Sequence, residues 1–419
     1  MATDLSILKV QREDDNLNPF KVKVFVRGVQ IKSSNIINLV IKESVFNILP
    51  SIELTWNDYG LFSDVFPLGD DDEITVEIST HRELDGIKAT FTLNDYSLVP
   101  NNTETHSNYF ITVTGFLKNK SMFLYQSKAF RRTTSSDVLS DIFESEGFKV
   151  VNAVSTKDSM TWLQSFTSLE MIQRVLDYSY VGDSNILFAY IDKNSDSYIK
   201  DLLSVVNTPK KFDVKVSTDP MKFYYSQIEP KKGVRGELTV LGYNYFRMSF
   251  HPGFNNKSGG YGMSAIMYDY DKPTTYSIVI DEKFKPITDY TLKHKDRKGI
   301  TLTTRLSMKY KNSNVHNNYH KAFLQNAYFK KTFFSDVLIL NTYFNNEVKL
   351  LDKVNVDINS LAHSGANKPE FNKIYSGEYL VVGIRNLLSN NGTYKSQLYL
   401  SRGGINKSAF IENTEMKLK

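Results

Sequence analysis

The sequence contains no cysteine among its 419 residues. No disulfide bond, thiolate nucleophile or cysteine-ligated zinc site can form, which excludes the disulfide-stapled class of small extracellular domains. Stability therefore has to come from hydrophobic cores and from assembly. At this length, the usual size of a domain predicts about two to four domains.

Long apolar runs are missing as well. Residues 1–6 lead into charged residues rather than into an apolar core, so the N-terminus does not match a secretory signal peptide. No stretch approaches the roughly 18 consecutive apolar residues of a membrane-spanning helix. We therefore expect a protein that is made and kept as a soluble molecule. Its formal net charge of +5 is mild and does not by itself predict nucleic-acid binding.

The linear motifs of the common enzyme classes are also absent. The sequence has no G-x-S-x-G elbow, no phosphate-binding P-loop, no H-E-x-x-H zinc motif and no glycine-rich dinucleotide fingerprint. A carboxylate pair brought together by folding would leave no linear trace, so a carbohydrate-active protein remains an alternative. We predict no catalytic residue, no cofactor-binding residue and no metal ligand, and we expect that the protein is not an enzyme.

Two short clusters carry side chains that metal ions prefer. His316 and His320 are four residues apart, so a helix would place both imidazoles on one face. The acidic run at residues 70–73 offers carboxylate oxygens that suit calcium. The histidines lack a third ligand, and the acidic run lacks the spacing and central glycine of a calcium loop. We favour histidines that face solvent or pack beside Tyr319, and a solvated acidic turn.

Positive charge is concentrated in residues 283–311. Phosphate groups could bind there, with Tyr290 and Tyr310 stacking on bases. Residues 300–306 alternate like a strand, and lysines on an edge strand also prevent aggregation, so we favour a charged outer face or an interface with an acidic partner. Against two aspartates, Asp289 and Asp296, the segment holds nine basic residues: Lys283, Lys285, Lys293, Lys295, Arg297, Lys298, Arg305, Lys309 and Lys311.

The chain is rich in tyrosine (25) and phenylalanine (27), residue types that favour strands and interfaces. Alternation of apolar and polar residues predicts an antiparallel sheet or barrel in the first part of the chain. Its predicted strands lie at residues 25–31, 52–56, 74–78, 91–93 and 109–113.

The periodicity then becomes helical. A helix is predicted to start after Thr134, where Asp137 completes an approximate capping box, and to end at Gly147. Apolar residues at helical spacing predict a second helix at residues 168–180, ahead of a buried strand at 186–191. A third helix is predicted at about residues 317–330.

A turn followed by an alternating strand occurs twice in the sequence. Residues 68–78 run from an acidic turn into a strand, and residues 350–358 do the same with a turn that looks two residues shorter. Two such units, far apart and each followed by further strands, predict a duplicated β domain rather than a short-period repeat.

These two units, together with the strands at 376–382 and 394–402, resemble the central baseplate hub proteins of contractile-tailed bacteriophages. That family is related to the N-terminal part of the VgrG spike proteins of type VI secretion. Residues 160–172, with a later aromatic strand containing Phe188 and Asp192, are similar to the linker domain of such hubs. The resemblance implies a mainly β chain with an α+β insert, containing two tail-tube-like antiparallel β-barrel domains.

The resemblance also implies a division of the chain into domains. The small α+β linker domain separates the two tube-like barrels, and a β/helical segment is inserted into the second barrel. The expected ranges are 1–118 for the first barrel, 119–203 for the linker, 204–275 and 332–405 for the second barrel, 276–331 for the insert, and 406–419 for a polar tail.

The function that the resemblance implies is structural. Such a hub is expected to form a homotrimer whose two barrels alternate in a pseudo-six-fold ring, joining a trimeric spike to a six-fold tail tube or tube-initiator protein. A lumen would hold the tape-measure protein and let DNA pass. We expect a virion component of the baseplate that assembles in the host cytoplasm, without stable membrane insertion, and with any spike or lysozyme domain on separate chains. A carbohydrate-active or nucleic-acid-binding multidomain β protein is the alternative.

Overall fold

The computed structural model describes residues 20–58, 68–69, 71–80, 87–103, 106–183, 185–217, 237–241, 246–250, 262–269, 274–280, 300–302, 307–309, 314–332, 336–343, 347–357, 376–389 and 394–402. Over these residues the protein is mainly β with an α+β insert, which confirms the predicted fold class.

The first sheet unit contains seven strands. They pair antiparallel in the order β3-β4-β7-β6-β5-β1-β2. Leu54, Phe91 and Val113 are fully buried at alternating positions, so one face of this sheet forms the core. The strands are β1 (Phe20–Val26), β2 (Val29–Ile31), β3 (Ile36–Ser44), β4 (Asn47–Asn57), β5 (Glu73–Thr80), β6 (Ile87–Thr103) and β7 (His106–Leu117).

The strand predicted at residues 25–31 is wrong, because a tight hairpin turn interrupts it. Arg27 and Gly28 have φ angles of +50° and +76°, and Val26 lies opposite Val29. Two successive residues with positive φ are typical of a type I′ turn, which joins two antiparallel strands. The alternation of residues 25–31 therefore belongs to two strands.

The linker domain combines two small sheets with helices. Thr134 caps the first helix by accepting the N–H of Asp137, and Thr167 and Glu170 form a full capping box on the second. The strands β8 and β10 pair antiparallel, and β11-β12-β9 form a second sheet. The elements are β8 (Tyr125–Thr133), α1 (Ser135–Ser145), β9 (Lys149–Asn152), β10 (Met160–Thr167), α2 (Ser168–Tyr178), β11 (Leu187–Ile191), β12 (Asp196–Asp201) and α3 (Leu202–Asn207).

The remaining strands form the second sheet unit and an inserted sheet. The inserted strands β16 to β19 pair with one another in a separate four-stranded sheet. In chain order the elements are β13 (Phe212–Ser217), β14 (Glu237–Leu241), β15 (Phe246–Phe250), β16 (Gly262–Asp269), β17 (Thr274–Ile280), β18 (Ile300–Leu302), β19 (Ser307–Lys309), α4 (Tyr319–Thr332), β20 (Asp336–Tyr343), β21 (Lys353–Asp357), β22 (Gly377–Ser389) and β23 (Tyr394–Arg402).

The second unit repeats the strand order of the first. Its pairing order is β15-β20-β23-β22-β21-β13-β14, and β14 also pairs with β20 through Val240 opposite Thr342. Position by position this is the order β3-β4-β7-β6-β5-β1-β2, with the inserted sheet and α4 between the counterparts of β3 and β4. The described strands therefore contain the duplication that the sequence predicted, while closure of each unit into a barrel stays a prediction.

The second unit departs from the expected antiparallel pairing at β13. This strand runs parallel to both β14 and β21, whereas its counterpart β1 is antiparallel to both neighbours. The chain enters β13 at the end of the sheet where it leaves β1 in the first unit. The residue before β13, Lys211, bonds to the start of β21, whereas Arg27, which follows β1, bonds to the start of β5.

The two units share one continuous sheet. The second half of β22 pairs with β3 of the first unit, from Gly383 opposite Ser44 to Ser389 opposite Asn38. The resulting sheet has fourteen strands. The domain boundaries drawn from the sequence stay a prediction, although β16 already belongs to the inserted sheet rather than to the second unit.

Helix α4 packs on the linker domain. The Nδ2 of Asn326, buried in this helix, donates to the carbonyl oxygens of Leu176 (3.0 Å), Asp177 (3.1 Å) and Ser179 (2.9 Å), where α2 ends. The last carbonyls of a helix lack partners within the helix, so this amide satisfies them. The helix predicted at residues 317–330 is confirmed, and it holds α2 in place.

We expect Asn326→Leu to destabilise the fold. The substitution keeps the branched shape of the side chain but leaves the carbonyl oxygens at the end of α2 without their donor, at a cost of about 1–3 kcal/mol. Urea unfolding followed by circular dichroism measures this cost. Lys321→Ala is the control, because its ion pair with the exposed Asp183 should contribute no more than about 1 kcal/mol. Equal effects of the two substitutions would contradict the assignment.

Candidate functional site

The two turn-and-strand units contain the same hydrogen-bonded turn. In the first, the N–H of Gly69 donates to Asp72 Oδ2 (2.7 Å), and the N–H of Asp72 donates to the carbonyl of Gly69 (3.1 Å). In the second, the N–H of Lys349 donates to Asp352 Oδ2 (2.8 Å), and the N–H of Asp352 donates to the carbonyl of Lys349 (3.2 Å). Each aspartate therefore fixes its turn just before a strand begins.

Both aspartates also bind a cation that lies at the end of the neighbouring strand, directly after β1 in the first unit and directly before β13 in the second. Arg27 Nε lies 3.1 Å from Asp72, and Lys211 Nζ lies 2.8 Å from Asp352. In each unit the backbone N–H of the cationic residue donates to the carbonyl of the residue after the aspartate, Glu73 or Lys353. The same backbone and side-chain contacts are thus made twice.

The strand on the other side repeats the arrangement. The N–H of Leu93 on β6 donates to Asp72 O (2.8 Å), and the N–H of Val381 on β22 donates to Asp352 O (3.0 Å). A β-bulge follows directly in both strands, before Asp95 and before Gly383. Leu93 and Val381 are therefore counterparts, as are Asp95 and Gly383.

These contacts correct the predicted alignment of the two units. The turns have the same length, so Leu68 corresponds to Val348 and not to Leu350. The sequence comparison matched leucine with leucine, whereas the register is set by the aspartate whose side chain accepts the N–H three residues earlier. The expectation of a shorter second turn is wrong for this reason.

A buried ion pair connects the first unit to the linker domain beside the β3–β22 ladder. Lys193 Nζ lies 3.2 Å from Glu43 Oε2, and the backbone N–H of Lys193 donates to Glu43 Oε1 (3.0 Å). Their side chains are only 6% and 2% exposed. Next to this pair, the N–H of Val45 donates to Val382 O (3.0 Å). The first unit, the linker and the second unit thus meet at one place.

Two tyrosines extend this junction to the duplicated turn. Tyr190 O–H donates to Leu350 O (3.0 Å), Tyr198 O–H donates to Asp192 Oδ2 (3.3 Å), and Lys349 Nζ donates to Tyr198 Oη (3.3 Å). The two tyrosine rings stack with centroids 5.2 Å apart. The linker therefore holds the turn of the second unit directly.

Burial raises the pKa of several groups at this junction. It raises the pKa of Asp192 above its ordinary value, while the backbone N–H groups of Asp196 and Asn194 act against the rise. Burial also raises the pKa of Tyr190 and Tyr198, so both phenols stay protonated and remain hydrogen-bond donors. Shifted pKa values can mark catalysis, but here they belong to groups whose hydrogen bonds join the linker to the second unit.

We expect Glu43→Ala to destabilise the chain strongly. It leaves the Lys193 ammonium buried without its carboxylate, which costs about 3–5 kcal/mol, whereas the double variant E43L/K193M should cost less than the sum of its two single changes, E43L and K193M. Chemical denaturation measures the free energy of unfolding of all four variants. The exposed pair Lys210–Asp213 is the matched control, and Asp213→Ala should change stability little. Additive single and double effects would refute the coupling.

The outer half of β6 is an exposed strand edge. β5 pairs with β6 only as far as Thr92, while residues 94–100 are exposed. Tyr96, Leu98 and Val99 in this stretch are 45%, 43% and 53% exposed. An exposed apolar strand edge is a site at which another strand can pair, so this is the candidate assembly surface of the first unit.

His316 and His320 do not share a helix face. Helix α4 begins at Tyr319, so His316 lies in the preceding turn, and the helical premise of the metal-site hypothesis is wrong. Both imidazoles make edge contacts with the ring of Tyr319, at centroid distances of 5.8 Å and 5.2 Å. His316 Nε2 also lies 3.0 Å from Tyr178 O. The interpretation of histidines packed beside Tyr319 is confirmed.

We expect His316 to make the fold acid-sensitive. Burial lowers its pKa below the ordinary 6.5, so below pH 6.5 the unfolded chain binds a proton that the folded chain does not. Stability contributed by this group is therefore complete above pH 6.5 and is lost as the pH falls, by at most about 1.4 kcal/mol per pH unit. Melting temperatures between pH 7.5 and 5 should fall less steeply for His316→Gln than for the wild type or for His320→Gln. Parallel curves would refute the assignment.

The acidic run forms ion pairs instead of a converging cluster. Asp71 pairs with Lys120 (2.5 Å), Asp72 with Arg27 (3.1 Å) and Glu73 with Lys118 (2.6 Å). Asp70 lies outside the described residues. Among the residues that the structure describes, no group of three or more histidine, aspartate or glutamate side chains could hold a metal ion.

Most of the basic segment 283–311 lies outside the described residues, so its role stays a prediction. Two short strands within it are described, β18 and β19, and both pair parallel with β16. The predicted strand at residues 300–306 is thus confirmed for residues 300–302. None of the helices in the described ranges is long and apolar enough to cross a membrane.

The fold is similar to that of phage tail proteins. The 43 kDa tail protein of prophage MuSo2 from Shewanella oneidensis aligns with a TM-score of 0.57 and 12% identity, covering 92% of this chain and 100% of that one. A tail protein from Neisseria meningitidis MC58 aligns with a TM-score of 0.51 and 10% identity, covering 92% and 97%. No family model and no curated protein matches the sequence. The likeness lies in the fold, and it agrees with the phage tail fold that the resemblance in the sequence implied.

Proposed function

We propose that this chain is the structural hub of a phage tail baseplate. In this proposal three copies form a ring in which first and second units alternate, so that six similar units surround a lumen. One side of the ring meets a trimeric spike, and the other meets a six-fold tail tube or its initiator proteins. The lumen holds the tape-measure protein and later lets DNA pass.

The observation that carries the proposal is the duplication itself. The second unit repeats the strand order of the first, and its turn at Asp352 repeats the contacts made at Asp72. A three-fold partner cannot match a six-fold one unless each subunit presents two equivalent units, and this chain contains two. The tail proteins with a similar fold support the same role.

The junction between the two units supports the proposed structural role. The two units are fixed relative to each other by the β3–β22 ladder and by the buried Glu43–Lys193 pair. A flexible linker would let the units rotate independently, so the ring would lose its regular spacing. The polar groups of this junction serve contacts inside the fold, in agreement with a protein that is not an enzyme.

The oligomeric state tests the proposal. We expect the purified chain to have a mass three times that of the 48.0 kDa subunit by light scattering, and particles with six lobes around a central opening by electron microscopy. The copies should associate at large interfaces, as obligate oligomers do. A protein that stays monomeric at high concentration would overturn the proposed function.

A further inference from the structure

Among the described strands of one chain, a single ladder joins the two units, and its counterpart by the duplicated strand order is not formed. The second half of β22 pairs with β3, with Arg385 opposite Lys42. By the duplicated strand order, β6 is the counterpart of β22, and β15 is the counterpart of β3. Residues 94–100 of β6 are exposed, and β20 is the one described strand that pairs with β15.

We propose that β6 of one copy pairs antiparallel with β15 of the next copy and that this ladder closes the ring. The inference rests on the proposed function and names the interface that it requires. β6 and β15 of the same chain cannot supply the ladder, because the other strands of the shared sheet separate them. A heterologous contact of this kind, repeated from copy to copy, generates a ring when the rotation between copies closes after three of them.

The register of the ladder follows from the described pairs. Asp95 corresponds to Gly383, since each follows the bulge, so Ser97 corresponds to Arg385. Leu54 on β4 and Leu340 on β20 are counterparts, because they pair with equivalent positions of the neighbouring strands β7 and β23. Leu54 lies opposite Leu39, and Leu340 lies opposite Phe246. Three residues further along, Lys42 therefore corresponds to Ser249.

Because Arg385 lies opposite Lys42, the ladder places Ser97 opposite Ser249 of the next copy. In the same register, Leu98 lies opposite Met248 and Val99 lies opposite Arg247. The ladder would cover the exposed edge at Tyr96, Leu98 and Val99, which explains why a strand edge carries apolar side chains in a protein that assembles. Pro100 lacks an N–H, so it marks the end of the ladder.

The absence of cysteine makes the register directly testable. The variant S97C/S249C introduces two small changes at positions that should lie directly opposite each other in neighbouring copies, close enough for a disulfide. Mild oxidation of the purified oligomer should give covalent species of two and three chains on a denaturing gel. Reduction should return them to one chain.

Two variants control the experiment. K42C/R385C places cysteines at the counterpart pair inside one chain, so oxidation should cross-link each chain internally without joining copies. S97C/M248C shifts one cysteine by a residue and therefore to the opposite face of the strand, so it should give no covalent oligomer. Circular dichroism of each variant confirms that it folds.

The outcomes separate this interface from the proposed function. Covalent trimers of S97C/S249C, together with none from S97C/M248C, support the ladder. A trimer in solution that forms no cross-link with S97C/S249C, while K42C/R385C cross-links internally, overturns the ladder and leaves the hub function standing. A wild-type chain that is monomeric overturns both.

Discussion

The ladder between β3 and β22 is the contact on which the rest of the structure depends. It places the two sheet units side by side in a single fourteen-stranded sheet, although β3 and β22 are far apart in the chain. Backbone hydrogen bonds set its register, and a one-residue slip would turn every side chain to the other face. The spacing of the two units is therefore fixed by geometry that tolerates little variation.

Polar contacts hold the two sheet units and the linker in the arrangement that the ladder sets. Glu43 and Lys193 are buried together beside it, and neither can be moved away without leaving a charge unpaired in the interior. Asn326 has a similar role for α4, because its side chain donates hydrogen bonds to the backbone carbonyls at the end of α2. Apolar packing gives the units their stability, whereas these polar contacts determine how the parts are arranged.

Duplication inside one chain allows the two sheet units to differ from each other where their roles differ. Both units keep the turn at the aspartate and the bulge in the following strand, because these features hold the sheet together. The second unit contains an inserted sheet and α4 between the counterparts of β3 and β4, and its strand β13 runs in the opposite direction to β1 of the first unit. In the proposed hub, such divergence would let the outer surfaces of the two units contact different partners.

The sequence by itself determined the mainly β class, the helices of the linker, the helix at residues 317–330 and the existence of a duplicated unit, because periodicity and capping are local properties of the chain. It misaligned the two turns, it joined residues 25–31 into one strand, and it gave no sign of Glu43 and Lys193 as partners. Only the tertiary structure decided these points, since strand register and buried pairing depend on residues distant in the chain. The proposed pairing of β6 with β15 of the next copy was inferred from the same long-range pairing, which no local pattern encodes.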